Sequence, residues 1–406
     1  MGNVKMSENT IYWLWLQRAL GEGARFKEIL EDFKSIKEFY NANILEWRMS
    51  PALVPKQINK LEEISLNDVE HIIYTCDHIG WEIIDYDEKD YPERFREIPN
   101  PPAVLFVEGD FAEIDNSVVI GVVGTRRASE YAVQVTELLC RGISESGAVV
   151  VSGGALGVDS AAHRGAILCG GKTIAVLGCG FGTNYLMGNK NLRDSIKQNG
   201  ALITEFPPFT GATKYTFPLR NRIISGLSLG ILVVEASVKS GSLITAKCAA
   251  EQNRDIYAVP CSILSPEFAG TNKLIEDGAM VVTKPADLLS PYAERFNIDL
   301  SKVKSVDKLM HETVDISANF EDNKADKLSF ENLENGRSKR EKREKAALSL
   351  SGNTKIVYEA LTESLQHIDV ITEKCSLPVS SVMGALTSLE IADLAVSASG
   401  KRYKLS

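Results

Sequence analysis

Between Asn116 and about Leu289, short apolar runs alternate strictly with segments of helical periodicity. No other feature of the 406-residue chain restricts its fold as much. The apolar runs cover residues 118–123, 148–151, 173–177, 201–204, 230–234, 255–259 and 280–282. Helical patterns near 129–145, 158–169, 192–198, 219–224 and 242–252 separate the first six, and a short helix precedes the last. Strands that are apolar at nearly every position are buried on both faces, and strands joined through helices run parallel. The pattern predicts an α/β fold with an extended Rossmann-like, doubly wound, mostly parallel sheet. Ligands of such sheets bind beyond the carboxyl ends of the strands, so the turns that follow each strand carry the functional information.

Residues 121–128 read GVVGTRRA, a tight turn between the first strand and a helix start. Unpaired amides and the positive end of a helix dipole suit an anion there. Arg126 and Arg127 add two guanidinium forks that match phosphate oxygens. A surface turn with ordinary ion pairs is the alternative. After the second strand, Ser152-Gly153-Gly154-Ala155-Leu156-Gly157 lets backbone come close to a ligand, although such a turn is also common as plain structure. Phe217-Pro218-Leu219-Arg220-Asn221-Arg222 follows the fourth strand and combines phosphate-contacting groups with a ring for base stacking. The alternative is a helix with Phe217 packed inward and its arginines solvated. The turn at 235–242, after the fifth strand, brings Lys239, Ser240, Gly241 and Ser242 to another helix start. Basic groups on several turns of one sheet edge suit an extended anionic ligand better than a single phosphate.

Three partial motifs are set aside. Gly178-Cys179-Gly180-Phe181-Gly182 misses the dinucleotide fingerprint, because Thr183 stands where its last glycine belongs. The run 166–173 is one glycine short of a P-loop and leads from helix to strand, the reverse of a P-loop. ATP is rejected there, and Lys172 remains as a basic contact. Asp159 and His163 share one helix face near Ser152, which permits a hydrolase or metal reading. No third group completes that set, and an acid near a helix N-terminus is favourable without any function. No catalytic residue, metal or cofactor is assigned.

The flanks differ from this centre. Residues 8–80 read as a small helical domain. Ile11, Leu14 and Leu16 begin a stripe beside Trp13 and Trp15, Ser35-x-x-Glu38 has the capping-box spacing, and Gly80 closes a helix over 66–79. Residues 81–115 lead into the main domain, which spans 81–290. Residues 291–350 are polar and charged and read as a flexible linker with a basic KREKREK run. Residues 351–406 carry three helical patterns and a terminal hairpin, the layout of a winged helix. Its third helix holds neither lysine nor arginine, so a protein-interaction role stands beside DNA reading. Seven scattered cysteines without a CxxC argue for a reducing cytoplasm and against a disulfide framework or zinc site. Residues 1–10 lack the apolar core of a signal peptide, and no run is long enough to span a membrane. The net charge of −9 argues against a general nucleic-acid coat but leaves room for a local basic cleft.

Taken in order and spacing, VGTRRAS, SGGALGVDSAAHRGAI, KTIAVLGCG, FPLRNRIISGLSLGILVVEASVKSGSLITA and GTNKLIEDGA resemble the DNA-processing protein A (DprA, also Smf) family. The lead-in DYPERF and PPAVLFVEG matches as well, so the resemblance covers about Gly80 to Pro285. The end domains fit the family's layout, a SAM-like domain before and a winged helix after. The resemblance implies a Rossmann-like domain that binds and protects single-stranded DNA. It also implies a homodimer that helps load RecA during natural transformation, without catalysis. Carried over position by position, the DNA cleft comprises Arg126, Arg127, Ser152, Gly153 and Gly154, with Lys172 at its edge. Phe217, Arg220, Asn221 and Arg222 follow, then Lys239, Ser240, Gly241 and Ser242. The chain departs from the family at 185–189, where Tyr-Pro is usual, at Pro260-Cys261, where Pro-Gly is usual, and in the wing at Ile391-Ala392-Asp393. The central domain also looks like the lysine-decarboxylase-like phosphoribohydrolases. Their PGGxGT turn corresponds to residues 239–245, which lack the double glycine, and no glutamate follows until Glu251. A further alternative is an adaptor whose end domains are docking modules.

Overall fold

The computed structural model describes residues 7–312 except 113 and 186, together with 350 and 352–405 except 363–365, 392–393 and 399–400. The chain divides into two compact units, Met1–Glu321 and Asp322–Ser406. The first begins with six helices, α1 (Thr10–Leu20), α2 (Phe26–Leu30), α3 (Ile36–Asn41), α4 (Ile44–Met49), α5 (Pro55–Glu63) and α6 (Asn67–Ile79). Nine strands follow: β1 (Glu82–Asp85), β2 (Val104–Gly109), β3 (Val119–Val123), β4 (Val149–Ser152), β5 (Thr173–Val176), β6 (Gly200–Thr204), β7 (Gly230–Val233), β8 (Asp255–Ala258) and β9 (Met280–Val281). Between and after them lie α7 (Glu93–Arg96), α8 (Glu130–Ser144), α9 (Val158–Ile167), α10 (Lys190–Gln198), α11 (Thr216–Leu227), α12 (Ser242–Glu251), α13 (Ala269–Glu276), α14 (Pro285–Leu289) and α15 (Val306–His311).

The strands form one sheet in the order β1-β2-β6-β5-β4-β3-β7-β8-β9. From β6 to β9 all pairs are parallel, while β1 and β2 add an antiparallel edge. The sheet is therefore mostly parallel and doubly wound, as the alternation predicts. β3, β4 and β7 are buried at every position. Their side chains alternate between two cores. Val119, Val149, Val151 and Ile231 face Ile223, Leu227 and Ala246 of α11 and α12, whereas Ile120, Val150 and Leu232 face Leu139 and Ala162 of α8 and α9.

α1 departs from the one-sided stripe of the sequence reading. Trp13, Leu14, Trp15 and Leu16 are all buried, so α1 is covered well beyond one face, as a helix apolar at four successive positions must be, and Arg18 is left exposed. Each indole nitrogen that this buries finds an acceptor: Trp13 donates to Asp87 at 2.9 Å and Trp15 to the Ile64 carbonyl at 2.7 Å. At Ser35 only half of the capping box forms, because Glu38 accepts from the Lys34 amide, while Asn43 and Glu46 make a complete one. The core of these helices continues into the sheet through Val104, Phe106, Ala175 and Leu177. A buried ion pair between Arg222 of α11 and Glu205, just after β6, ties the two parts. Glu205 also accepts from the Gly23 amide, and Arg222 donates to the Asn100 carbonyl at 2.5 Å.

Residues 293–312 lack a readable period yet pack on the first unit. Leu309 of α15 is buried, and Arg141 of α8 binds Glu312 at 2.5 Å. The basic run of the linker lies outside the described residues. The second unit holds α16 (Gly352–Ala360), α17 (Ile368–Cys375), α18 (Val379–Ile391) and a small sheet of β10 (Gln366–His367), β12 (Arg402–Leu405) and β11 (Ala395–Ala398) in that order. Three helices and a small antiparallel sheet around their own core make the winged-helix layout.

Arg222→Ala would strand the Glu205 carboxylate in the interior. Urea unfolding should show a loss of about 3 kcal/mol, with the low-denaturant fluorescence of the tryptophan-rich helices changing first.

Candidate nucleic-acid interface

β3 lies between β4 and β7, so the chain winds away from it in both directions and leaves a crevice at the carboxyl ends of β3 and β7. The turns after β3, β4 and β7 and the start of α11 enclose a cleft of about 370 Å³. The GTRR turn is clamped from beneath. The Thr125 amide donates to the Glu235 carbonyl at 2.9 Å, and the Val158 amide donates to the Thr125 carbonyl at 3.2 Å. Gly157 has φ +75°, and a Cβ there would stand 2.3 Å from that same carbonyl oxygen. The clamp leaves Arg126 and Arg127 exposed. Arg126 lies 4.6 Å over the ring of half-buried Phe217, whose other neighbour is the Tyr185 ring at 5.6 Å. The Arg127 side chain has no partner among the described residues.

The helix starts correct part of the sequence reading. The N-terminus of α8 is not open to an anion. Ser129 caps it, and the buried Glu235 carboxylate accepts from the Ser129 amide at 2.9 Å and its hydroxyl at 2.7 Å. At the glycine-rich turn before α9, the Asp159 carboxylate accepts from the Ala155 amide at 3.3 Å, and Asn189 donates to the Gly154 carbonyl. Two of the expected backbone cradles thus hold the protein's own groups. The start of α12 differs. Ser240 and Ser242 hydroxyls lie 2.8 Å apart, nothing stands within 4 Å of a Cβ built on Gly241, and all three residues line the cleft. Lys239 is exposed on the same turn.

Arg220 forms the cleft floor. It is 5% exposed and donates to the Val176 carbonyl at 2.6 Å, while its Nε has no partner. Burial lowers its pKa, and nearby Asp159 offsets part of that shift. Burial likewise pushes Asp159 up, against the pull of the Arg220 guanidinium. Gly153 makes this arrangement possible, since a Cβ there would fall 1.9 Å from Arg220 Nη1 and 2.5 Å from Asp159 Oδ2. Asn221 is nearly buried beside them, and its side-chain amide has no hydrogen bond among the described residues.

Of the sequence-derived contacts, Arg127, Gly153, Gly154 and Lys239 are not among the residues that line the cleft, and three more are engaged elsewhere. Ser152 is fully buried and its hydroxyl donates to the Val122 carbonyl at 2.6 Å, joining β4 to β3. Arg222 faces the ion pair with Glu205 on the N-terminal side. Lys172 precedes β5, at the opposite edge of the sheet, and pairs with Asp110 at 3.0 Å. Gly180 and Gly182 make room for protein, as added Cβ atoms would meet the Pro207 carbonyl and the Phe209 ring. Conversely, Thr125, Lys214 and Thr245 line the cleft without having been singled out. Lys214 had one available signal, a cation just ahead of the α11 start. Among the described residues no group of three or more His, Cys, Asp or Glu could hold a metal, and no helix is long and apolar enough to cross a membrane.

Comparisons with known proteins bear on the family and the fold that carry this cleft. A family model for DNA recombination-mediator protein A matches residues 82–293, and one for the DprA winged helix domain matches 341–401. The chain is 42% identical over 216 residues to the DNA processing protein DprA of Bacillus subtilis, covering 53% of this chain and 73% of that protein. It belongs to the DNA recombination-mediator protein A family. Protein Smf of Synechocystis is 29% identical over 399 residues, with 97% of this chain and 98% of that protein covered. The X-ray structure of DprA from Streptococcus pneumoniae superposes with a TM-score of 0.62 at 31% identity, covering 70% of this chain and 98% of that one. The family match of 82–293 contains every residue of the cleft. It also removes the ground for the phosphoribohydrolase reading, in keeping with Glu235, the acid ahead of the corresponding turn, being buried on Ser129.

His163 lies below the cleft, fully buried, with Nδ1 2.7 Å from the Thr173 hydroxyl. That hydroxyl donates to the Val150 carbonyl, so it accepts from Nδ1–H and leaves Nε2 bare. Burial pushes this imidazole down to about 3, with Arg220 and Arg164 adding to the effect. The unfolded chain takes up this proton near pH 6.5 and the folded one does not until far lower, so stability falls as the pH drops between those values. Acidification from pH 6.5 to 5 should cost about 2 kcal/mol through this group alone. Denaturation of His163→Leu across that range should show a shallower acid-side slope.

Proposed function

We propose that this chain binds single-stranded DNA in the β3/β7 cleft, has no catalytic activity of its own, and as a homodimer presents the strand to the RecA recombinase. The observation that carries the reading is the composition of one surface. Exposed Arg126 and Lys214 line the cleft with a half-buried aromatic ring and an open serine turn, and exposed Arg127 and Lys239 follow or precede these lining residues in the chain, whose net charge is −9. Cations that track a backbone beside a ring on which bases stack are the two parts of a single-strand site. A duplex keeps its bases stacked inside and offers Phe217 no face. The relatives support the reading, being named for DNA processing. The homodimer has support from β9, which among the described residues pairs only with β8 and carries Met280 and Val281 exposed at the sheet edge, since an unpaired apolar edge invites a second strand.

Fluorescence anisotropy with oligothymidine at several salt concentrations tests the reading. Binding should favour the single strand over duplex and weaken steeply with salt. Arg127→Ala should lower affinity and flatten the salt slope by roughly 0.7. Phe217→Leu should cost about 1–3 kcal/mol with the slope unchanged, while Lys172→Ala should alter neither. Equal affinity for duplex and single strand, or a salt slope that ignores Arg127, would remove the cleft from consideration.

A further inference from the structure

The single-strand reading accounts for the rim of the cleft but not for its floor. A site built only for phosphates needs cations and amides, yet the floor holds a carboxylate. Asp159 is 7% exposed and lines the cleft beside Arg220, and both side chains close over the α-carbon of Gly153. One buried donor there lacks a partner, Arg220 Nε, and the side-chain amide of Asn221 lines the cleft next to it without a hydrogen bond among the described residues. A buried donor left unmet is costly, and the open amide of Asn221 can take an acceptor from a ligand in the cleft. The ligand must therefore supply hydrogen-bond donors to Asp159 and an acceptor to Arg220 or Asn221. Phosphate supplies acceptors only and would face the carboxylate directly.

Resting on the reading that the cleft holds single-stranded DNA, we propose that its floor is a base subsite selective for guanine. Of the four bases, guanine alone sets two adjacent donors, N1–H and the N2 amino group, beside an acceptor, O6, on one edge. The two donors match the two oxygens of a carboxylate, and O6 matches the unpartnered donors of Arg220 and Asn221. Thymine offers a single donor between two acceptors, while cytosine and adenine each offer one amino group next to a ring nitrogen that a carboxylate repels. Phe217 supplies the wall against which the unstacked base lies, the arrangement by which proteins read the pairing edge of a base outside a duplex. The surrounding strand is held through its backbone, so the preference acts on one nucleotide and leaves the site tolerant elsewhere.

Competition binding with oligothymidines that carry one internal substitution tests this on the intact chain. A single guanine should tighten binding roughly tenfold over thymine. Inosine, which lacks the N2 amino group, should lose most of that gain, whereas 7-deazaguanine, whose pairing edge is intact, should keep it. In Asp159→Asn, with its fold checked by thermal melting, the guanine-to-thymine ratio should fall to about one whatever the absolute affinity. Equal binding of guanine, inosine and thymine overturns the subsite and leaves the single-strand reading standing. So does a preference that 7-deazaguanine loses or that Asp159→Asn retains. Failure to bind any single strand overturns both. The base-analogue arms need no variant, so misfolding of Asp159→Asn would not spare the proposal.

Discussion

The carboxylate of Glu235 holds the crevice together. It stands at the end of β7, fully buried, and accepts two hydrogen bonds from Ser129 at the start of α8, while its own carbonyl accepts from Thr125 in the turn after β3. One residue thereby fixes the two turns that border the switch point and satisfies a helix N-terminus with a charge of the favoured sign. Because the anion site of α8 is filled from within, the GTRR turn works through its side chains. Arg126 and Arg127 project from a rigid base with little freedom left in the backbone beneath them. A rigid base lowers the ordering cost of gripping a flexible polymer.

The buried arginines show how one short motif serves two purposes. Arg220 and Arg222 are two residues apart on α11 and so point about 200° away from each other around the helix. Arg220 enters the cleft floor, and Arg222 turns back to Glu205 and joins the sheet to the N-terminal helices. Neither is solvated, and around each guanidinium a carbonyl and a nearby carboxylate stand where water would be. The family match covers both positions, but sequence alone gives them the same chemistry.

The sheet was legible because its signal is local. A four- or five-residue apolar run between helical patterns states its own burial, and β3 to β8 fall within a residue or two of the runs read from the sequence. The positions of the GTRR, FPLRNR and SGS turns after their strands followed directly. Partners brought from far along the chain did not. Lys172 and Asp110 meet across 62 residues, Ser129 and Glu235 across 106, and Arg222 and Asn100 across 122. Residues 293–312 read as linker because α15 is only six residues long and is held partly by ion pairs, which leave no hydrophobic period.

By itself, the sequence determined the α/β class, the winding of the sheet and which turns could bear a ligand, since each follows from residue type and spacing along a continuous stretch. Only the tertiary structure decided which of those turns are open. Whether an amide, a carboxylate or a guanidinium is free depends on what the rest of the chain places within about 3 Å of it. The same glycine-rich turn or arginine reads as ligand-binding or structural according to that neighbour. Glu235 closed one site, Asp159 partly filled another, and α12 was left with its Ser240-Gly241-Ser242 turn facing the cleft.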